Sequence, residues 1–240
     1  FTSGATEANF LALQRLGRAA GRRLLVSAAE HESLDAPDAV RLPVDRDGRL
    51  ALDALEAALR QGPALVALHL AQNETGVIQD FPAIAALVHA HGGLLHADAA
   101  QAPGRIGFSL AALGADSLTL SAHKAGGPKG IGALVLRLGL DLPPAAHGGG
   151  QEGRRRPGTP ALALAAGFAA ALEEAVAESP APRQKIRDAI EAALAAHGIL
   201  AGAAAPRPGR SSASRSPATA TATATAAASG GSWGCVPAAT

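Results

Sequence analysis

A serine, a histidine and a lysine directly follow an apolar run in residues 121–132, and a glycine-rich loop completes this segment. The chain contains three lysines against eighteen arginines, and Lys124 and Lys129 both lie here. A primary amine can lose its proton and form a Schiff base with an aldehyde, whereas a guanidinium does not. The segment therefore indicates a carbonyl-bearing cofactor, for which pyridoxal phosphate is the natural candidate. A phosphate-binding lysine, or a surface lysine beside a tight turn, would give the same pattern.

A second group of polar residues follows the apolar run at 94–97. Asp98 ends this run, and a buried carboxylate is costly unless it is paired, for example with a protonated pyridine nitrogen. Gln101, three residues later, could reach a ring hydroxyl. A structural aspartate that caps the next helix is the alternative. His96 and Asp98 could also ligate a metal, but no third ligand follows at a regular spacing, so we predict no metal site.

Two more polar side chains follow apolar runs. His31 comes after the run at 24–27, where an imidazole could stack on a flat heteroaromatic ring and move protons. Asn73 comes after the run at 64–70, and its amide could donate to a phenolate oxygen. An incidental surface histidine and an ordinary turn are the respective alternatives.

Two further segments have the composition of anion sites. Residues 3–7 precede the first predicted helix, and free backbone N–H groups there would suit a phosphate. An ordinary N-cap by Ser3 or Thr6, with Glu7 in the first turn, is the alternative. Residues 148–159 combine glycines with three arginines, and an arginine fork binds a carboxylate through two hydrogen bonds. A flexible basic loop would look the same.

Short apolar runs alternate with helical patterns along the chain. Strands are predicted at 24–27, 64–70, 94–97, 117–120 and 133–136. Helices are predicted at 6–18, 50–60, 82–91, 161–178 and 183–197. This alternation predicts an α/β fold with a mainly parallel sheet flanked by helices. Such a sheet binds ligands at the carboxyl ends of its strands, where the polar motifs fall.

Composition excludes several classes of function. The formal net charge of +1 over 240 residues gives no support for nucleic-acid binding. Charged or turn residues interrupt every apolar run before it reaches membrane-spanning length, and no signal peptide is recognisable, so we predict no membrane association. A single cysteine is compatible with a reducing compartment and predicts a cytoplasmic protein.

The two ends of the sequence differ from its centre. The chain contains no methionine and begins directly on a motif, which predicts that residues 1–160 form a large domain lacking an N-terminal piece. Residues 161–205 are predicted to be helices that lead into an incomplete small C-terminal domain. Residues 206–240 are a low-complexity tail, interpreted as disordered or as the product of a frame shift. Its Ala-Thr alternation could alternatively form an edge strand.

The motifs together resemble those of the cysteine desulfurases, in the class V aminotransferase family of fold-type I pyridoxal-phosphate enzymes. The resemblance covers residues 1–167, and more loosely reaches 201, and it implies a copy truncated at both ends. Its motifs are Ser-Gly-Ala-Thr-Glu, Glu-His, Asn-Glu-Thr-Gly-Val-Ile-Gln, His-Ala-Asp-Ala-Ala-Gln, Ser-Ala-His-Lys with Gly-Pro-Lys-Gly-Ile-Gly-Ala-Leu, and Gly-Gly-Gly-Gln-Glu with Arg-Pro-Gly-Thr.

This resemblance assigns roles around the cofactor ring. Lys124 would form the Schiff base with pyridoxal 5'-phosphate and later take the α-proton of the substrate. Asp98 would pair with the pyridine nitrogen, and His31 would stack on the ring. Asn73 and Gln101 would contact the ring oxygen or the amino-acid end of the substrate.

The resemblance also indicates which residues would bind the cofactor phosphate and the substrate carboxylate. The phosphate would be held by Thr6, Ser121 and His123. Arg156 would bind the substrate carboxylate, and Thr159 would reach the phosphate of a neighbouring subunit. The family has serine where Pro157 stands, which would shift this loop.

The activity implied by the resemblance is conversion of L-cysteine to L-alanine by a homodimer. Sulfur would pass to an enzyme cysteine and then to an acceptor such as an iron–sulfur scaffold, for cluster or thio-cofactor synthesis. Cys235 is the single cysteine and lies near the expected place, but its surroundings differ from the family motif. The alternatives are a class V aminotransferase, a selenocysteine lyase or an inactive fragment. A nucleotide-binding domain lacks the expected Gly-x-Gly-x-x-Gly or P-loop.

Overall fold

Six strands form one sheet in the computed structural model, which describes residues 1–178 and 181–194. The strands are β1 Arg23–Ser27, β2 Val40–Leu42, β3 Ala64–His69, β4 Leu94–Asp98, β5 Ser117–Ser121 and β6 Gly132–Leu136. Their order in the sheet is β2-β1-β3-β4-β5-β6, and all neighbouring pairs are parallel except β5 and β6. The prediction of a mainly parallel sheet is therefore confirmed.

The antiparallel pair places both ends of the site loop side by side. Residues 122–131 connect β5 to β6 and are too few for the crossover that a parallel pair needs. The start of the chain pairs here as well, because the backbones of Thr2 and Gly132 exchange two hydrogen bonds of 2.9 Å. A Cβ on Gly132 would lie 2.7 Å from the Gly4 carbonyl carbon, so only glycine allows this close approach.

The described residues form six α-helices. They are α1 Ala5–Leu11, α2 Leu52–Leu59, α3 Phe81–Ala90, α4 Leu110–Leu113, α5 Leu162–Ala177 and α6 Ala181–Leu194. Helix α1 continues into a π-helical turn, Ala12–Gly17, and a 3-10 turn, Arg18–Ala20. Side-chain caps define the N-termini of α3 and α4. Asp80 accepts a hydrogen bond from the N–H of Ala83, and Ser109 accepts one from the N–H of Ala112.

Helices pack on both faces of the sheet. One face carries Leu25 and Val66, which cluster with Phe81 of α3 and with α2. The opposite face carries Val26 and Leu65, which cluster with the helical segment that continues α1. Because both faces are covered, every residue of β3 is buried, as expected for a central parallel strand.

Helix α5 packs against the turn that carries Lys124. Its Phe168 is buried in a small cluster with Ala122 and Ile131, on either side of that turn. The predicted division of the chain after residue 160 stays a prediction. Within the described ranges, no helix has both the length and the apolar character that a bilayer crossing requires. Residues 195–240, which include the low-complexity tail and Cys235, lie outside the described ranges.

Candidate cofactor site

A cleft of about 530 Å³ opens at the carboxyl ends of the strands. Several segments that are far apart in sequence line it, because parallel strands end at the same edge. The predicted site residues that line this cleft are Thr6, His31, Asn73, Asp98, Gln101, His123 and Lys124. The cleft is also lined by Lys129 of the glycine-rich loop, and by Ser33 and His69, which the sequence motifs did not single out.

Asp98 is the last residue of β4 and supplies the buried carboxylate of the cleft. Its side chain is 8% exposed. Oδ1 accepts a hydrogen bond of 2.9 Å from the N–H of Ala100, and Oδ2 accepts one of 2.7 Å from Nδ2 of Asn9. Two donors thus hold the carboxylate, and its remaining lone pairs can serve a cationic partner in the cleft.

Sequence reasoning missed Asn9, which is fully buried on α1. Its position did carry a signal, because Asn9 lies four residues before the buried Leu13 on the core-facing side of the helix. A buried amide requires partners, and these are Asp98, Ser33 and His96.

His31 lies at the rim of the cleft with a defined ring orientation. Its Nδ1 accepts a hydrogen bond of 3.1 Å from the backbone N–H of Ser33 and lies 2.9 Å from the Ser33 hydroxyl. Because Nδ1 accepts, the ring proton is on Nε2.

Lys124 lies on the 3-10 turn Ala122–Ala125, which ends at Gly126 with a φ of 86°. Arg105 connects this turn to the loop after β4: its guanidinium donates to the carbonyl of Lys124 at 3.1 Å and to that of Gln101 at 3.2 Å. Burial lowers the pKa of Arg105, with a contribution from nearby Arg183. The lysine is therefore supported by a side chain that also supports Gln101.

The cleft lining also carries hydroxyl and basic groups, which are supplied by Thr6, His123 and Lys129. Ser121 does not line the cleft but is buried, and its hydroxyl lies 3.1 Å from Nδ1 of His123. Gly4 is the N-cap of α1, so neither Ser3 nor Thr6 caps the helix.

Arg156 is absent from the cleft lining and contacts it indirectly. Its guanidinium forms a two-point ion pair with Glu7, at 2.9 and 3.3 Å, and Glu7 does line the cleft. Burial opposes ionisation of Glu7, but the hydrogen bond from Arg156 is among the contacts that hold its pKa below the ordinary value. The same bond raises the pKa of Arg156. A role for Arg156 toward a substrate carboxylate would therefore compete with Glu7.

His96 is fully buried, and the described residues form no group of metal ligands that includes it. Its Nδ1 lies 2.8 Å from the Ser117 hydroxyl, and its Nε2 lies 3.1 Å from Oδ1 of Asn9. Burial lowers its pKa to about 3, so the ring is neutral at physiological pH. Across residues 1–178 and 181–194, no three His, Cys, Asp or Glu side chains are grouped as metal ligands.

The lining of the cleft fits pyridoxal phosphate by its chemistry. It includes an amine, a buried carboxylate, imidazoles, and hydroxyl and basic groups. These are the groups that an aldehyde, a pyridine nitrogen, an aromatic face and a phosphate require.

The fold, a mainly parallel sheet flanked by helices, is similar to that of solved NifS-like proteins. The NifS-like protein of Rickettsia africae superposes with a TM-score of 0.79 at 30% identity, over 87% of this chain and 61% of that one. The family model for aminotransferase class V matches residues 1–201, and the chain belongs to that family.

Particular relatives are similar over most of this chain. A cysteine desulfurase of Rhodobacter capsulatus is 40% identical over 213 residues, and one of Cereibacter sphaeroides is 39% identical over 213 residues. These alignments cover 82% and 84% of this chain but 55% and 54% of the relatives. The chain thus spans about half the length of these proteins. A solved structure of SspA in complex with cysteine has a TM-score of 0.69 at 32% identity, over 80% of this chain and 59% of that one.

Proposed function

We propose that this protein is a pyridoxal-phosphate-dependent cysteine desulfurase, which converts L-cysteine to L-alanine and passes the sulfur to a cysteine of the enzyme. The observation that carries the proposal is the cleft in which the Lys124 amine and the buried Asp98 carboxylate occur together. Similarity to cysteine desulfurases supports the reaction, and the solved complex of SspA with cysteine supports the substrate.

Pyridoxal phosphate, when bound, supplies an aldehyde that captures an amine and a ring that withdraws electrons from the substrate Cα. Asp98 would hold the proton of the pyridine nitrogen, and His31 would cover one face of the ring. Asn73 and Gln101 would bind the ring oxygen or the amino-acid end of the substrate. Lys124 would bind the aldehyde and then move the proton at the substrate Cα.

The phosphate would be bound by Thr6, His123 and Lys129, with Ser121 orienting the imidazole of His123. Arg156 remains a proposal for the substrate carboxylate and would have to leave Glu7 to act directly. Thr159 remains a proposal for a second subunit's phosphate.

The remaining parts of the proposal lie outside the described residues or outside this chain. Cys235, the single cysteine, is the proposed sulfur acceptor within the chain. A homodimer, an acceptor such as an iron–sulfur scaffold and a cytoplasmic location complete it. The two alternative enzymes, a class V aminotransferase and a selenocysteine lyase, would use the same lysine and would differ in the products formed.

The cofactor part can be tested with all three lysines of the chain. Purified chain is incubated with pyridoxal phosphate, reduced with borohydride, digested and mapped. We expect the label on Lys124 and its loss in Lys124→Ala, because Lys124 is proposed to be held beside the aldehyde, whereas Lys129, which also lines the cleft, is proposed to bind the phosphate. Lys185→Ala is the matched control, since Lys185 is exposed on α6 and does not line the cleft. Equal labelling of both variants would refute the site and favour an inactive fragment.

The reaction part uses the same protein with L-cysteine. We expect alanine and sulfide in the wild type with a reductant present, and loss of sulfide release in Cys235→Ser with cofactor retention unchanged. Keto-acid products instead of alanine would favour an aminotransferase, and alanine only from selenocysteine would favour a selenocysteine lyase.

A further inference from the structure

We propose that Asn9 is a positioning residue that sets the Asp98 carboxylate and the His31 ring in fixed relation to one another across the cleft. This inference rests on the proposed function, since it concerns the groups assigned to the cofactor ring. It is carried by hydrogen bonds that join three distant segments: α1, the end of β4 and the loop after β1.

The orientation of the Asn9 amide is determined by its partners. Its nitrogen lies 2.7 Å from Oδ2 of Asp98, and a carboxylate only accepts, so this atom must be the amide nitrogen. The second N–H of the same nitrogen donates to the Ser33 hydroxyl at 2.8 Å. Both donors of Asn9 are therefore used, one by each of two residues that line the cleft.

The oxygen of Asn9 is anchored in the core by His96. Since Oδ1 accepts, Nε2 of His96 must carry the proton that it donates across 3.1 Å. Nδ1 of His96 then accepts from the Ser117 hydroxyl at 2.8 Å. Full burial keeps this imidazole neutral, so it is a fixed donor and not a second cation competing for Asp98.

The other branch extends from Asn9 to the rim. The Ser33 oxygen accepts from Asn9, so its own proton is available for Nδ1 of His31 at 2.9 Å. Asp98, which would contact the pyridine nitrogen, and His31, which would cover the ring face, are thus both connected to the Asn9 amide. Loss of that amide would leave Asp98 with the Ala100 N–H as its donor and would remove the donor that orients the Ser33 hydroxyl toward His31. No other residue type offers two donors and one acceptor at this length of side chain.

The test uses the full 240-residue chain and Asn9→Leu, which keeps the volume and removes the hydrogen bonds. Affinity for pyridoxal phosphate is measured by titration in denaturant-free buffer at neutral pH, and the folded fraction is checked by circular dichroism. We expect about tenfold weaker binding, the loss of one charge-assisted contact. Leu13→Ala is the matched control: it lies on the same helical segment, is buried in the core and does not line the cleft. The inference is overturned if Asn9→Leu binds like the wild type, or if Leu13→Ala weakens binding equally.

Ser33→Ala provides a second variant, at a partly exposed residue. It removes the hydroxyl that connects Asn9 to His31 and leaves the hydrogen bond from Asn9 to Asp98 in place. We expect weaker binding than in the wild type but a smaller loss than in Asn9→Leu. A loss as large as that of Asn9→Leu would contradict the shared-amide arrangement.

A cofactor-free measurement separates this inference from the proposed function. Nitrogen-15 NMR of the histidine rings, assigned with His96→Gln, reports which nitrogen of His96 is protonated. We expect the Nε2–H form in the wild type and a shifted Nε2 resonance in Asn9→Leu, where the Thr119 hydroxyl at 3.3 Å is left as the partner of Nε2. An Nδ1–H ring in the wild type, or an Nε2 resonance that is unchanged in Asn9→Leu, overturns the inference. A wild type with the expected ring that retains no pyridoxal phosphate refutes the proposed function instead.

Discussion

Mild acid should destabilise this chain through one buried imidazole. The pKa of His96 is lowered by burial from its ordinary 6.5 to about 3 in the folded state. Between these two values the unfolded chain binds one more proton than the folded chain does at this site. The free energy of unfolding therefore falls as the pH falls through 6.5, and the effect levels off below pH 3.

The magnitude follows from the two pKa values. Each pH unit inside this window contributes about 1.4 kcal/mol, so lowering the pH from 7.5 to 5 should cost about 2 kcal/mol from His96 alone. That cost is a large share of the free energy of unfolding of a typical domain, which is on the order of 5–15 kcal/mol.

Urea denaturation at pH 7.5, 6 and 5, followed by circular dichroism, measures this contribution. His96→Gln is the reference, because glutamine can form hydrogen bonds at this position but does not titrate. All other residues are common to both proteins, so their contributions cancel in the difference. We expect the difference in unfolding free energy between wild type and His96→Gln to shift by about 2 kcal/mol between pH 7.5 and 5. A pH-independent difference would refute the reasoning.

Three substitutions test other parts of the fold and site. Arg105→Met removes two hydrogen bonds to backbone carbonyls of the site turns and should weaken pyridoxal phosphate binding about tenfold, measured by titration. Asp116→Ala leaves the N–H of buried Leu95 without its acceptor and should lower the free energy of unfolding by about 2–3 kcal/mol in urea, with cofactor affinity unchanged because Asp116 does not line the cleft. Gly132→Ala brings a methyl group against the backbone of Gly4 and should cost about 1–3 kcal/mol in the same assay and weaken binding as well; a neutral result would contradict the close approach.

The sheet was largely predictable because its strands are continuous apolar runs. The run at 64–70 corresponds to β3, which is buried throughout. Strand β2 was missed because it has only three residues and two of them are exposed, so neither length nor hydrophobicity marks it. Helix α4 is a single turn and carries too short a pattern to be recognised.

The site was predictable to the extent that its residues follow strands. Asp98 and Asn73 were found in this way, since parallel strands bring their carboxyl ends together. Asn9 lies inside a helix, and its partner Asp98 is 89 residues away in the chain, a pairing that no local pattern contains. Arg156 shows the opposite case: its residue type suited the assigned role, but the ion pair with Glu7 depends on the packing of a distant loop against the first turn of α1.

The pairing of Thr2 with Gly132 has a consequence for synthesis on the ribosome. The first residues of the chain leave the exit tunnel long before their partner strand exists, and the walls of the cleft near Thr6 are held by contacts to residues more than a hundred positions later. A nascent chain that ends before β6 cannot close this edge, because the non-local pairing must wait for β6. Assembly of the cleft is therefore a late event, after translation has passed β6.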